Sequence, residues 1–455
     1  MTACDAHRPC YHFLPPGEWL NDPNGPICWR GRHHLFYQYG PRADNWNEKY
    51  WGHASSADLV HWEELPIALA PTPGGPDADG VWSGSAVDDN GTPALLYTGV
   101  FPETQCLAYG SADLRTWEKY TGNPVVAAPP TGLATTGFRD PCVWRETDGW
   151  YMLVGSGIKD VGGTALLYRS PDLRAWEYLH PLCIGDKAEN GEMWECPDFF
   201  ALGDKHVLLF SPYGAPRYLV GDYVDHRFIP EYSGTLDFGG YFYAPKSFLD
   251  NEGRRILWGW SWEGRSDAAQ HAAGWAGVMS LPRVLTLGAD NRLRYDVAHE
   301  VRQLRETHHQ ECRLEVETFH PLDVHGDSLE IKVTFRLGAA SRVGLALRRS
   351  PDGAEETRIL YNDIIREVSI ERQQSSLEAD TQRDTHTALL AITAGEALTM
   401  HVFLDRSIVE VFVNERLCLT TRIYPTRADS LGVGLLAEGG TALIEKVDCW
   451  EMKGS

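Results

Sequence analysis

Residues 56–63 read SADLVHWE, and close copies of this octapeptide follow at residues 111–118 (SADLRTWE) and 170–177 (SPDLRAWE). The copies begin 55 and 59 residues apart, a spacing that indicates repeated supersecondary units. In each copy we expect the Asp to cap a turn, the Leu to anchor it and the Trp to pack between neighbouring units. The motif is therefore assigned to the scaffold.

Apolar, β-rich runs lie around the three copies: LLYT at residues 95–98, WYMLV at 150–154 and HVLLF at 206–210. Clusters of Gly, Pro and Asp interrupt residues 10–290 about every 8–12 residues, and long helical periodicity is nearly absent. A blade of four short strands takes about 40–60 residues, so this region predicts about five blades of a β-propeller. A long β-sandwich with chance matches to the octapeptide is the alternative.

The pattern changes near residue 297. Val297, Val301 and Leu304 recur at helical spacing, which predicts a short linking helix within residues 296–310. From residue 311 onward, alternating runs such as LEIKVTFRL and SIVEVFVN predict a second β domain, most simply a sandwich. The predicted fold is all-β, with a five-bladed β-propeller (residues 1–295), the linker, and a C-terminal β-sandwich (residues 311–455).

Composition excludes some classes of partner. The 455 residues are 43% hydrophobic and 23% charged, as in soluble globular proteins, and the formal net charge of −22 disfavours nucleic acid. No apolar run approaches the length of a membrane span, so no membrane partner is expected. The ten cysteines are scattered without a CxxC pair and no secretory signal is discernible, which predicts reduced thiols and a cytoplasmic protein. The oligomeric state is open, a homo-oligomer included.

Three acidic residues are followed by prolines, directly or, for Glu195, after one residue: Asp22 in WLNDPNGP, Asp140 in FRDP and Glu195 in WECPD. A proline restricts the residue before it, so we expect stiff loops that hold the acids. Loops from different blades meet on the axis of a propeller, and glycoside hydrolysis needs two carboxyl groups facing each other across the anomeric carbon. Each Asp-Pro alone is typical of a plain turn, so the three acids are candidates for such a pair, and the joint pattern of motifs has to decide.

The whole set of motifs resembles glycoside hydrolase family 32, the family of invertase, levanase and inulinase. The residues 19–25 (WLNDPNG), 138–141 (FRDP) and 195–198 (ECPD) carry the resemblance. Further blocks that look like this family are FYQY at 36–39, WGHA at 51–54, WSGS at 82–85, YAP at 243–245, GWAG at 274–277 and DRSIVEVF at 405–412. The resemblance extends over nearly the whole chain, in order.

This resemblance implies a retaining β-fructofuranosidase. Asp22 would be the nucleophile that forms a fructosyl-enzyme, Glu195 would be the general acid and then the base, and Asp140 would hold fructose hydroxyls. Retention places the carboxyl groups of the nucleophile and the acid roughly 5–5.5 Å apart. Asp22 stands where internally cleaving relatives often carry Glu, which favours release of terminal fructosyl units from sucrose or short fructo-oligosaccharides.

Other functions remain open from the sequence: a sucrose-6-phosphate hydrolase, a fructosyltransferase, a catalytically silent fructoside-binding propeller, or a glycosidase acting on arabinose or xylose. No cofactor and no metal site are expected.

The side chains predicted to contact the sugar by hydrogen bonding or ring stacking are Asn21, Gln38, Trp46, Trp82, Ser83 and Arg139. A phosphate group on the substrate would need a cationic partner, for which Arg217, Lys246 and Arg265 are candidates.

In the sandwich, Asp405 and Glu410 are predicted to be turn and surface groups without a catalytic role.

Overall fold

The computed structural model describes residues 5–41 and 48–455, and these residues form an all-β chain. The predicted all-β class is therefore confirmed. The only α-helices in the described ranges are α1 (Lys187–Asn190) and α2 (Asp267–Ala273). Neither helix is long or apolar enough to cross a membrane.

Residues 18–297 fold into five antiparallel sheets that follow one another along the chain. The first contains β1 (Glu18–Trp29), β2 (Arg32–Gly40), β3 (Tyr50–Ser56) and β4 (Trp62–Leu69). The second contains β5 (Gly80–Asp89), β6 (Thr92–Val100), β7 (Thr104–Gly110) and β8 (Trp117–Lys119). The third contains β9 (Thr135–Glu146), β10 (Gly149–Ile158), β11 (Gly162–Ser170) and β12 (Glu177–Ile184).

The fourth sheet contains β13 (Glu195–Leu202), β14 (Lys205–Ser211), β15 (Arg217–Val224) and β16 (Arg227–Thr235). The fifth contains β17 (Tyr243–Leu249), β18 (Arg255–Ser261), β20 (Val278–Met279), β21 (Arg283–Leu287) and β22 (Leu293–Val297), while β19 (Trp275–Ala276) pairs in parallel with β1. The first strand of each sheet contacts the first strand of the next, and β17 contacts β1. Side chains from five distant segments therefore come together along these first strands.

The repeated octapeptide forms the turn between the third and fourth strands of the first three sheets, as predicted. Asp58 accepts a hydrogen bond from the backbone N–H of Val60, Leu59 is buried, and the Trp62 indole donates to the Leu59 carbonyl at 3.1 Å. The same contacts recur at Asp113, Leu114 and Trp117 and at Asp172, Leu173 and Trp176. The Trp62 ring lies 5.6 Å from that of Trp258 in the fifth sheet, so the motif joins neighbouring sheets.

Two six-stranded sheets follow and share one apolar core. Their strands are β23 (Arg305–Val316), β24 (Phe319–His325), β25 (Ser328–Arg336), β26 (Arg342–Arg349), β27 (Thr357–Asn362), β28 (Glu367–Glu371), β29 (His386–Leu389), β30 (Leu398–Asp405), β31 (Ile408–Val413), β32 (Leu417–Arg422), β33 (Gly432–Glu438) and β34 (Ala442–Met452). The strand orders are β23-β34-β25-β30-β31-β32 and β24-β33-β26-β27-β28-β29.

The linker differs from its prediction. Val297 ends β22, and only His299–Leu304 is helical, as a 3-10 helix with Val301 and Leu304 buried. Strand β23 already begins at Arg305, because residues 305–316 pair with β34. The helical spacing of the three apolar residues thus arose from the end of β22 followed by a short 3-10 helix.

The prediction that Asp405 and Glu410 are surface groups was wrong, since both are fully buried. Asp405 accepts hydrogen bonds from the backbone N–H groups of Cys10, Tyr11 and His12 at 2.8–2.9 Å. The His12 ring bridges the two acids, with Nδ1 2.9 Å from Asp405 and Nε2 3.1 Å from Glu410. A buried carboxylate needs such partners, and no local pattern in β30 or β31 announces them.

Glu410 also pairs with the guanidinium of Arg283 from the fifth sheet, at 2.6 Å. Arg283 binds Asp237 at 3.0 Å and donates to the Thr420 hydroxyl at 2.6 Å. The two carboxylates and the guanidinium are all fully buried. This buried ion-pair network joins the N-terminal segment, the fifth sheet and the second domain.

Candidate active site

One pocket of about 320 Å³ opens at the first strands of four sheets. Its lining contains all the predicted site residues that the structure describes, together with one unpredicted residue, Lys49: Asn21, Asp22, Gln38, Lys49, Trp82, Ser83, Arg139, Asp140 and Glu195. The predicted Trp46 lies outside the described residues.

The three acids lie within first strands, not in loops as predicted. Every first strand shifts register against its neighbour where it lines or borders the pocket. In the third to fifth sheets the shift falls on a residue pair ending in Pro, and the residue before Pro has a positive φ: Asp140 (64°), Cys196 (48°) and Ala244 (50°). A proline at a β-bulge costs no ladder hydrogen bond, and a bulge re-aims the adjacent side chains. The Pro motifs therefore point the side chains beside them into one pocket.

Asp22 receives three hydrogen bonds. Its Oδ2 accepts from the Ser83 hydroxyl at 2.7 Å and from the Cys196 thiol at 3.5 Å, and its Oδ1 accepts from the Asn21 amide at 3.1 Å. Burial raises the pKa of Asp22 above 3.8, and the charge of Glu195 adds to this, while the three donors oppose it. The donors thus offset part of the cost of burying the ionised form.

Asp140 is buried and has fewer donors. Its Oδ2 accepts from the Cys196 backbone N–H at 2.9 Å and lies 3.5 Å from the thiol that also contacts Asp22. Burial raises the pKa of Asp140 to about 7, with Arg139 opposing and the charges of Glu195 and Asp22 contributing. The three acids thus lie close enough for each charge to influence the others.

Glu195 is held on both carboxyl oxygens. Arg139 donates to Oε1 through Nε at 3.0 Å and Nη2 at 2.8 Å, and the Tyr243 hydroxyl donates to Oε2 at 2.6 Å. Arg139 also pairs with Glu103 at 2.7 Å and donates to the Tyr213 oxygen at 2.5 Å. The guanidinium is thus shared between two carboxylates, which fixes Glu195 in position.

Glu103, Tyr213 and Tyr243 were not predicted as site residues, yet all three contact Arg139 or Glu195. Tyr243 carried a signal, because Tyr243-Ala244-Pro245 repeats the spacing of Glu195-Cys196-Pro197 and shares its register shift. Glu103 and Tyr213 lie outside the Pro motifs, and only the fold brings them to Arg139.

Lys49 was also missed. Its ammonium lies 3.3 Å from the centroid of the Trp19 ring, and it lines the pocket. Burial lowers the pKa of Lys49 to about 8, and the charge of Asp22 opposes this shift. The pocket therefore contains two basic side chains, Lys49 and Arg139, among three acids.

The three cations proposed from sequence to meet a phosphate do not line this pocket. Lys246 is buried and donates to the Pro197 carbonyl, Arg265 pairs with Asp5 and Glu263, and Arg217 donates to Ser233. All three proposals are corrected, because none of these side chains reaches the pocket.

Within the described ranges, one group of side chains has metal-ligand spacing: Glu146, Asp148 and His226, whose ligand atoms lie within 4.8 Å of one another. They lie outside the pocket, and each has protein partners. Tyr151 donates to Asp148 and Tyr223 to Glu146, both at 3.1 Å. These hydrogen bonds account for the cluster without a ligand.

Comparison with protein families identifies the chain. The N-terminal domain of family 32 of the glycosyl hydrolases matches residues 12–296, and the C-terminal domain of the same family matches residues 300–451. The chain belongs to glycoside hydrolase family 32. The resemblance inferred from the motifs is thereby confirmed, as is the predicted class of enzyme, a β-fructofuranosidase-type hydrolase.

Named relatives agree with this family 32 hydrolase over almost their full lengths. Sucrose-6-phosphate hydrolase of Escherichia coli is 36% identical, covering 98% of this chain and 94% of the relative. A variant of fructan 1-exohydrolase IIa from Cichorium intybus, solved with 1-kestose, has a TM-score of 0.91 at 30% identity, covering 100% and 99% of the two chains. A variant of a β-fructofuranosidase from Bombyx mori, solved with sucrose, has a TM-score of 0.82 at 30% identity, covering 99% and 94%.

Proposed function

We propose that this family 32 hydrolase is an exo-acting, retaining β-fructofuranosidase that releases terminal fructosyl units from sucrose or short fructo-oligosaccharides. The observation that carries the proposal is the meeting of Asp22, Asp140 and Glu195 in one pocket, each in a different hydrogen-bonding environment. The relatives solved with sucrose and with 1-kestose support a fructoside as substrate.

In the first half-reaction, Asp22 attacks the anomeric carbon of the fructosyl unit and forms a covalent ester. A nucleophilic carboxylate must be ionised, and the hydrogen bonds from Ser83, Cys196 and Asn21 favour that form. Asp140, which contacts the same Cys196 thiol, accepts hydrogen bonds from the fructose hydroxyls and stabilises the oxocarbenium-like transition state.

Glu195 protonates the leaving glycosidic oxygen and becomes a carboxylate. The Arg139 guanidinium and the Tyr243 hydroxyl stabilise that charge as it forms. In the second half-reaction the same carboxylate takes a proton from water, which then cleaves the ester. Glu103 is a positioning residue in this scheme, because it reaches Glu195 only through Arg139.

The proposed architecture is a five-bladed propeller (residues 1–295), a linker (296–310) and a β-sandwich (311–455). Five successive sheets whose first strands contact one another in cyclic order support the propeller. The match to the first family domain ends at residue 296 and the match to the second begins at residue 300, which supports the boundary between propeller and sandwich.

We also propose a cytoplasmic location. The nine cysteines of the described residues are unpaired, as a reducing compartment would keep them.

Sucrose 6-phosphate is the second candidate substrate. The 36% identical relative carries that substrate in its name, and Lys49 places a cation in the pocket wall. Comparing kcat/KM and products on sucrose, sucrose 6-phosphate, inulin and levan tests both candidates. A preference of more than about tenfold for the phosphorylated sugar would select the second. Products longer than the substrate would select a transferase, and fructoside binding without any fructose release would refute catalysis.

Replacing Ser83 with Ala is expected to move the acidic limb of the kcat/KM profile upward by about one pH unit. Ser83 donates to the charged form of Asp22, so its loss raises the pKa of a group that must be ionised. Activity is then lost at a higher pH as the solution is acidified. The control is Ser85→Ala on the same strand, whose hydroxyl accepts from the Val143 N–H instead. An unchanged limb in Ser83→Ala would contradict the assigned role of Asp22.

Replacing Phe101 with Ala is expected to raise KM about two- to tenfold with little change in kcat. Phe101 is 66% exposed and packs edge-on against Trp82 at the pocket, 5.7 Å between centroids. We infer that its ring contacts the leaving sugar. Initial rates on 1-kestose measure the effect, with Ile229→Ala on β16 as an equally exposed apolar control. An unchanged KM would remove Phe101 from the substrate-binding surface.

A further inference from the structure

A second cavity, of about 670 Å³, lies further along the same five first strands. Its lining comes from residues 25–28 of β1, 85–88 of β5, 142–146 of β9, 198–201 of β13 and 246–249 of β17, with side chains from neighbouring strands. No residue lines both this cavity and the active-site pocket. Along the strands, the register shifts and their prolines separate the two. Its volume falls in the range of small-molecule sites.

Charged side chains of both signs line this cavity, and all but one have hydrogen-bond partners among the described residues. Asp198 accepts from the Ser247 N–H and hydroxyl, Glu146 from Trp144 and Tyr223, and Asp88 from the Gly91 N–H. Lys246 donates to the Pro197 carbonyl and Arg145 to Asn90.

Arg255 is the exception. Its Nε is buried without a hydrogen-bond partner, and no carboxylate of residues 5–41 or 48–455 forms an ion pair with it. The guanidinium lies 4.5 Å from the centroid of the Phe200 ring, which also lines the cavity. The adjacent Arg254, by contrast, pairs with Asp250 and Glu300. Arg255 as a whole is half-buried, but its Nε is shielded from solvent with no acceptor among the described residues, and leaving a buried donor unpaired is costly. This points to a partner outside the described residues.

The surroundings of Arg255 select the chemistry of that partner. A planar guanidinium binds a carboxylate or a phosphate through two parallel hydrogen bonds. Asp198 and Glu146 line the same cavity, whereas its other cations, Lys246 and Arg145, already have acceptors, so a second negative charge on the ligand would be disfavoured. Aromatic side chains supply much of the remaining wall: Trp144, Trp150, Phe199, Phe200, Tyr223 and Phe248. A singly charged group on a flat apolar body fits these features better than phosphate does.

We propose that this second cavity binds a small aromatic carboxylate, whose carboxylate group pairs with Arg255 while its ring packs among the aromatic walls. The site is separate from the fructoside pocket, and the proposal does not depend on which sugar the enzyme cleaves.

Calorimetric titration of the full-length protein with benzoate tests the proposal, with benzamide as the uncharged analogue and inorganic phosphate as the alternative anion. Benzoate is expected to bind about tenfold or more tightly than benzamide, because only benzoate can pair with the guanidinium. Phosphate is expected to bind more weakly than benzoate. No benzoate binding at about ten millimolar, equal binding of benzamide, or tighter binding of phosphate would each overturn the proposal.

Variants locate the site. Arg255→Gln is expected to weaken benzoate binding about tenfold or more, and Arg255→Lys several-fold, since lysine keeps the charge but loses the paired geometry. Arg145→Gln is the matched control, because Arg145 lines the same cavity but already has a partner. Its affinity should change less than about twofold. If Arg255→Gln does not fold, Arg255→Lys decides; unchanged binding in the folded variant, or equal losses in the Arg145 variant, would refute the assignment.

Discussion

Replacing Asp22 with Asn is expected to lower kcat on sucrose by about 10⁴-fold or more, because the covalent half-reaction loses its nucleophile. The same change should leave the melting temperature unchanged or slightly raised. Burial raises the pKa of Asp22, so the folded protein holds this carboxylate at a cost that a neutral amide avoids. Initial rates and a thermal unfolding curve on the same preparation measure both effects.

Asp198→Asn is the matched control for this variant. Asp198 is also buried on a first strand and also accepts from a serine hydroxyl, but it lines the second cavity. Its kcat per folded molecule should stay within about twofold of the wild type. Glu195→Gln should still release the aryl group in a rapid single-turnover burst from an aryl fructoside with a good leaving group, because that step needs little protonation, while steady turnover stays slow because the water has lost its base. If Asp22→Asn were rescued by that substrate and Glu195→Gln were not, the two roles would be exchanged.

Replacing Glu410 with Ala is expected to lower the free energy of unfolding by about 3–5 kcal/mol, because removing one partner leaves buried charges uncompensated. Arg283 would keep only Asp237 as an ionic partner, and the His12 Nε2 would lose its contact. Chemical denaturation followed by fluorescence measures the effect. The kcat of the folded fraction should not change, because Glu410 does not line the pocket.

The control for Glu410 is Glu445→Ala in the same domain, where a partly exposed glutamate pairs with the exposed Arg336. An exposed pair of this kind contributes at most about 1 kcal/mol, so the unfolding curve should move little. Equal losses in both variants would show that the buried network between the domains has no special role in stability.

The acids that line the pocket show how much the local sequence can predict. Asp140 and Glu195 stand out because a proline follows each, and that proline marks a register shift in the strand. The motifs thus predicted which side chains enter the pocket, although they suggested loops where the structure has bulged strands. Tyr243 carries the same mark and was overlooked, because a tyrosine in that motif was assigned no chemistry of its own.

Other side chains had no such mark. Glu103 contacts Arg139 and Lys49 contacts Trp19, both from other strands. Asp405 and Glu410 lie in runs of alternating polar and apolar residues, a pattern that a surface strand also has. Their burial and partners depend on where the N-terminal segment and the fifth sheet pack. Such contacts span up to several hundred residues, and the periodicity of one strand contains no information about them.

The sequence by itself determined the repeated turn and the all-β class, because both depend on neighbours within a few residues. It also singled out the three pocket acids, but only through the ordered set of motifs along the whole chain. The tertiary structure alone decided which groups hold Glu195, how burial raises the pKa of Asp140, and where the Nε of Arg255 lacks a partner. These properties follow from burial and from the distances between charges, and the packing of the five first strands sets both.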